Sequence, residues 1–570
     1  MGQPTPQRRN NDLAQPCFLH VPSRLSKGRA VTTDSASRRF FLETLRYIWP
    51  AYVLASVLIL RGFHWSLPSA YQDKSFQADE NAAVWAVNQI HFPHASPHWF
   101  PWGTGLFYQV YLVKLIFTLG GFLHATDYWM LVMGRLVVFA SALGALTALF
   151  VLTRKIFDTW TAQLATCIFA ALPGFVINAH YFKTDVPMTC WMLVTLVFAY
   201  RLLDTGNPRD VLWLGLLVGY TASIKYSAGL LLIVGLVTIA MARRKFHKSF
   251  SWISYLLCVG LGFAFGEPVA LRPSNWKDIF TALRWVAGLN SLGVPYHAAR
   301  PPAWIDYPLD VMPYSMTAPM LLAAAAAFLW VLLRRRREFL PVLVFVVIYY
   351  PLLAMDNWRL VRYTVPFLPF AALFVASLVA HLRKRPVIGP LSIAAAYAIL
   401  IYAFLFSFSY VRVMAQEDPR IQATRWIQQN LPAEPPIPTV PAWDLDNAQL
   451  RMIGYPKLDV NFHAPELASA TSPYLIFSEW GTSFYLQAIG YYPEKKQFFD
   501  YIDANYTELI HFENSQKLLF INSKRGSMLP QDWLHANPRI TILIRSASQS
   551  GANDSDSKRQ KIGGAKEQSD

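Results

Sequence analysis

A series of apolar runs, each about 20 residues long and closed by a small basic cluster, constrains this chain more than any other feature. Residues 154–155, 243–248, 334–337 and 383–385 are such clusters. An apolar run of that length crosses the hydrocarbon core as a helix, and Lys and Arg collect at its cytoplasmic end. Composition agrees, with 54% of the 570 residues hydrophobic, 15% charged and a mean hydropathy of +0.26. The chain reads as a polytopic α-helical membrane protein. Its formal net charge of +16 does not point to nucleic acid, because the basic residues sit at the ends of apolar runs.

Spans are expected at 47–63, 135–153, 161–177, 186–203, 252–270, 314–333, 339–354, 364–382 and 387–409. Residues 211–242 decide the topology, since this run is too long for one ordinary crossing and too short for two full ones. The basic cluster after it belongs inside, so the chain must enter and return as two short or broken helices around Ile224-Lys225-Tyr226. A single crossing would leave 334–337 and 383–385 outside. The reading gives eleven crossings, with the N-terminus cytoplasmic and the C-terminus exterior. Segments placed inside, with Arg201 at the inner end of its span, hold 23 Lys and Arg against 7 Asp and Glu, and the difference equals the whole net charge, +16.

Around this transmembrane domain (47–410, with exterior loops 64–130 and 271–313) lie three other parts. Residues 1–46 form a basic arm, expected to be cytoplasmic and disordered, and the first apolar run is a retained anchor without a cleavage signature. Residues 275–289 suit a surface helix. Residues 411–547 read as a small exterior α/β domain, whose QEDPRIQATRWIQQNLP is an amphipathic helix with Pro419 in its first turn and Pro432 beyond its end. Residues 548–570 are a low-complexity tail. Cys17 lies in the arm and Cys167, Cys190 and Cys258 lie in apolar runs, so no disulfide framework is implied.

Polar groups that are costly in a bilayer gather at the exterior ends of spans: Asp79-Glu80, Arg135, Lys183 with Asp185, Lys225-Tyr226, and Arg362-Tyr363. Carboxylates and cations at one membrane level suit a reaction in which a lipid-borne anion is held while a carboxylate deprotonates a hydroxyl acceptor. Each residue also has a plainer role. Asp79-Glu80 suits the cap of a helix, Asp185 the first turn of another, and Arg135 and Arg362 suit snorkelling anchors. Lys225 has no sequence-local partner. His91, His94 and His98 have metal-like spacing, but no Cys or tight carboxylate pattern completes a site. Trp85, Trp99, Phe100 and Trp102 read as an interfacial belt. There is no P-loop, Rossmann fingerprint or HExxH.

Several motifs together resemble a known family. ADENAAVWAVN, FPWGTGLFY, GRLVVFASALGALTALFVLTRKIF, HYFKTDVPMT, TASIKYSAGLLL and VRYTVPFLP follow one another in the order found in GT-C fold glycosyltransferases of the protein-mannosyltransferase and aminoarabinose-transferase type. The likeness covers roughly residues 47–370. It implies a GT-C-like fold, a polyprenyl-phosphate sugar as donor, transfer on the periplasmic or lumenal face and inversion at the anomeric carbon. It makes Asp79 the general base with Glu80 orienting beside it. Arg135, Lys225 and Arg362 become candidates for the lipid phosphate, while Lys183 and Asp185 line the second exterior turn. No catalytic metal is implied, and a bacterial inner membrane is the expected location. The chain departs from the aminoarabinose branch in having histidines and Trp99 where a lysine precedes the Pro/aromatic segment. It also lacks the large inserted domain of eukaryotic mannosyltransferases. A transporter or flippase for an anionic or lipid-linked solute is the alternative, which would call for paired repeats and interrupted helices. A membrane scaffold displaying the C-terminal domain is the third reading.

Overall fold

The computed structural model describes residues 33–91, 95–121, 126–245, 252–286, 301–355, 358–440, 453–486, 489–519, 521–522 and 529–546. The chain divides into two compact units, Met1–Arg46 and Tyr47–Asp570.

A helix stands at every expected span. In chain order these are α1 (Thr33–Arg61), α2 (Ala78–Asn88), α3 (Gly105–Leu119), α4 (Asp127–Ile156), α5 (Thr159–Ala171), α6 (Pro173–Asn178) and α7 (Asp185–Thr205). They continue with α8 (Pro208–Ile224), α9 (Leu231–Ala242), α10 (Trp252–Gly266), α11 (Trp276–Val286), α12 (Ala303–Asp306), α13 (Met312–Met316) and α14 (Ala318–Arg334). The last helices of the bundle are α15 (Leu340–Ala354), α16 (Leu368–Leu382) and α17 (Ile388–Met414). Among the described residues six helices are long and apolar enough to cross a membrane, or seven if the bent pair around Thr317 is one span. The chain is thus a polytopic helical membrane protein, and length and composition establish fewer crossings than the eleven expected.

The shortfall comes from broken helices. Residues 211–242 divide at Lys225, whose extended backbone separates α8 from a 3-10 turn and α9, as their length requires. Residues 161–177 divide at Leu172, which is extended because Pro173 follows it. At Thr317 (φ +70) the chain bends by 116° between α13 and α14. One apolar helix, α3, lies within what the sequence reads as loop 64–130. Close packing is bought by glycine between α8 and α10: a Cβ on Gly219 would stand 1.9 Å from Val259 O, and one on Gly262 2.0 Å from Leu216 O.

After α17 the chain forms α18 (Pro419–Asn430), with Asp418 capping it and Pro419 in its first turn. A five-stranded sheet follows in the order β2-β1-β3-β7-β4. Its strands are β1 (Ile437–Thr439), β2 (Lys457–Asp459), β3 (Tyr474–Ser478), β4 (Tyr506–Phe512) and β7 (Ile540–Arg545), with β5 (Lys517–Leu518) and β6 (Ile521–Asn522) pairing apart. Strand alternation fills both faces. Ile476 and Ile542 meet α18, while Leu475 and Leu543 meet Phe498 of the helix Pro493–Asn505. The expected α/β character is present. Leu529, Trp533, Leu534 and Ala536 of this region join the main core of the helical bundle.

Candidate active site

Asp79 and Glu80 open α2, where the Gln77 side chain accepts the Asp79 N–H at 3.1 Å. Neighbours on a helix diverge by about 100° around its axis, so the two carboxylates meet different surroundings. Glu80 is fully buried. Its Oε1 accepts from Arg135 Nε at 2.8 Å and from the Phe182 N–H at 2.7 Å. Its Oε2 accepts from an Arg135 terminal nitrogen at 2.6 Å and from Ser75 Oγ at 2.7 Å. The remaining Arg135 nitrogen donates to the Phe63 and Trp65 carbonyls, both at 2.7 Å. A buried ion pair stabilises only when further hydrogen bonds satisfy its polar atoms, and here each nitrogen of Arg135 and each oxygen of Glu80 has a partner. It ties α2, α4, the end of α1 and the turn before α7 together.

Asp79 keeps 27% of its side chain exposed. One carboxylate oxygen pairs with Lys183 Nζ at 2.9 Å and is also contacted by Arg362. Burial alone would raise this carboxyl, but Arg362 and Lys183 outweigh it and hold the group well below the usual carboxylate range. Arg362 stands in the 3-10 turn Val361–Phe367, beside Tyr363. The Tyr363 ring lies 5.3 Å from the Arg362 guanidinium and 4.8 Å from Lys225 Nζ. Lys225 finds the partner its local sequence lacks in Asp185, 2.5 Å away on α7. The cations Lys183, Lys225 and Arg362 and the carboxylates Asp79 and Asp185 therefore share one cluster around Tyr363.

Of the candidate residues, the structure brings Asp79, Lys183, Asp185, Lys225, Arg362 and Tyr363 together. Glu80 and Arg135 lie behind them in the core. Tyr226 leaves the cluster and donates from its hydroxyl to Glu267 at 2.7 Å, beside Phe100 and Val269. His91 and His98 are exposed, and His94 lies outside the described residues. Trp85 is exposed, and Trp99 packs edge-on against Trp102. Among the described residues no three His, Cys, Asp or Glu side chains converge to hold a metal ion.

Sequence reading missed Asp532 and His535, which the 3-10 turn Gln531–Ala536 carries to the cluster from the C-terminal region. Asp532 accepts the backbone N–H groups of Val361 and Arg362 at 3.0 and 2.9 Å. It shares a small cavity with Gln77, Asn178, Lys183, Val361 and Trp533. The buried His535 ring packs 5.2 Å from Trp480, and burial beside Lys183 holds its imidazole well below the usual value. A lone Asp in a polar loop carries no sequence signal for this placement.

Residues 110–264 match the model of the dolichyl-phosphate-mannose-protein mannosyltransferase family. The likeness to mannosyltransferases read from the motifs is shown over that segment, which holds Arg135, Lys183, Asp185 and Lys225 but neither Asp79 nor Arg362. No curated protein matches the chain. Among solved structures it is similar to the Archaeoglobus fulgidus oligosaccharyltransferase complexed with Zn and sulfate, at 13% identity and a TM-score of 0.47, covering 82% of this chain and 72% of that one. It is also similar to ArnT from Cupriavidus metallidurans bound to undecaprenyl phosphate, at 13% identity and a TM-score of 0.42, covering 90% and 98%. At such distances no residue role carries over.

Proposed function

We propose that this chain is a GT-C-like glycosyltransferase that moves a sugar from a polyprenyl-phosphate donor to an acceptor hydroxyl, with Asp79 as the general base. The reading places the reaction on the exterior face, with the N-terminus cytoplasmic, and requires no resident metal. The observation that carries it is the partly exposed Asp79 carboxylate held between Lys183 and Arg362, with Tyr363 linking Arg362 to Lys225. The segment match to mannosyltransferases supports the choice of donor class, as does the undecaprenyl phosphate bound by the ArnT structure.

A glycosyl phosphate is a diester with one negative charge. As its C1–O bond breaks, the electron pair goes to the phosphate oxygen and the leaving lipid phosphate gains a second charge. Arg362 and Lys225, on either side of Tyr363, meet that charge as hydrogen-bond donors. The acceptor oxygen forms the new bond to C1 from the opposite face, inverting it, and its proton passes to Asp79. In the resting state Arg362 and Lys183 leave Asp79 a weak base. When Arg362 turns toward the donor phosphate, it releases part of that hold and the carboxylate becomes more basic where the proton must be taken. Glu80 and Arg135 then fix α2, and with it the position of Asp79, without touching substrate.

The test is transfer from synthetic polyprenyl-phosphate sugars to membrane extracts by the purified chain, with and without chelator. Asp79→Asn should lower turnover by about 10²–10⁴-fold, the usual contribution of a positioned general base. Full turnover by that variant would remove Asp79 from the role, and loss of activity on chelation would require a cation.

A further inference from the structure

The C-terminal region is more than an appendage, because its 3-10 turn is anchored through the residues that follow Asp532. Trp533 packs 4.4 Å from the Tyr410 ring and 5.3 Å from Tyr314, and its carbonyl accepts the Tyr410 hydroxyl at 2.8 Å. The His535 carbonyl accepts from Arg420 at 2.7 Å. Arg420 is itself buried, paired with both oxygens of Asp418 at 2.7 Å and stacked 3.8 Å over Phe76, three residues before Asp79. Asp418 in turn accepts from Trp65 Nε1 at 3.0 Å.

We infer that Asp532 is a positioning residue of this site, fixing Arg362 against Asp79 by binding the backbone N–H groups of Val361 and Arg362. The inference rests on the glycosyltransferase reading for its catalytic meaning only. Those two N–H groups open a 3-10 turn and have no partners within it, so a buried carboxylate is the acceptor that holds them most firmly. With the backbone pinned, only the Arg362 side chain is free to exchange Asp79 for a donor phosphate. The same carboxylate faces the cavity that Lys183 lines, so it adds negative charge beside the second cation on Asp79. Asp532 touches neither substrate nor the reacting atoms in this scheme; it acts through Arg362.

The experiment uses the full chain in lipid nanodiscs, as wild type, Asp532→Ala and Asp532→Asn. Three quantities are measured: hydrogen exchange over residues 358–367, affinity for a synthetic polyprenyl monophosphate without sugar, and the thermal midpoint. Asp532→Ala should speed exchange at 361 and 362 by about tenfold or more and weaken phosphate binding by about tenfold, as expected for lost charge-assisted hydrogen bonds. Asp532→Asn, which keeps one acceptor oxygen, should recover part of both. Unchanged exchange would overturn the inference. So would faster exchange with a lower midpoint but wild-type affinity in the folded fraction, since Asp532 would then be a cap alone. Should Asp532→Ala not fold, Asp532→Asn carries the same comparison. Absence of phosphate binding by the wild type would bring down the functional reading by itself, because exchange still decides whether Asp532 holds Arg362.

Discussion

Asp79 and Glu80 are adjacent in sequence and each is paired with arginine, yet they sit in opposite physical situations. Glu80 has no exposed surface, and its oxygens accept from Arg135, Ser75 and the Phe182 backbone. Asp79 is open to solvent on one side and concentrates two cations on a single oxygen. A saturated buried pair has nothing left to offer a substrate, whereas a crowded, partly open one can exchange partners. The first arrangement is suited to holding a helix and the second to chemistry.

The largest effect should come from breaking the saturated pair. Glu80→Ala leaves the Arg135 guanidinium buried without a counter-charge, a change that costs about 3–5 kcal/mol. The expected outcome is a chain that fails to accumulate in membranes or loses most of its thermal stability, read by quantitative immunoblot and a melting curve. Asp79→Asn should behave in the contrary way, with a smaller loss in the melt, since Asn keeps the shape and polarity beside Lys183 and Arg362, and little transfer. Equal melting losses in the two variants would erase the distinction between the carboxylates.

Much of this was legible in residues. The division of 211–242 near Lys225 followed from its length together with the basic clusters that belong inside, and the first turn of α18 from Pro419. The convergence of Asp79, Lys183 and Arg362 was suggested by their common place at span ends. The sequence did not separate Asp79 from Glu80, because which neighbour turns inward depends on the helix's rotation against α4, a tertiary fact. Arg135 illustrates the same limit: it reads as a snorkelling anchor, but Gly134 beside it lets the Phe182 ring close over α4 and bury it. Asp532 was invisible because its partners are backbone N–H groups some 170 residues away.

Gly134 offers a gentler way to sharpen the comparison. A Cβ there would stand 2.3 Å from the Phe182 ring, whose own backbone N–H donates to Glu80. Gly134→Ala should therefore destabilise by about 1–3 kcal/mol, the usual result of overpacking. The disturbance enters on the Glu80 side, so the melting temperature should fall while turnover per folded molecule is largely kept. A variant that melts normally but has lost transfer would mean that the Glu80 cradle reaches the chemistry directly.

The smallest effect, and the most specific to Asp79, is in the pH dependence. Arg362 and Lys183 depress this carboxyl in the folded chain, so its share of stability is present above the ordinary carboxylate value and is lost as pH falls below it. The acid limb of kcat/KM reports the free enzyme and that of kcat the donor complex. The donor diester stays ionised throughout, so a shift between the limbs belongs to the protein. If bound phosphate draws Arg362 from Asp79, the carboxyl rises and the kcat limb must lie at higher pH than the kcat/KM limb. Arg362→Gln removes the depressing charge in advance, so its two limbs should converge on the higher position. Limbs that already coincide in the wild type would show that Arg362 stays on Asp79 through the reaction, and Lys225 would then have to meet the leaving phosphate by itself.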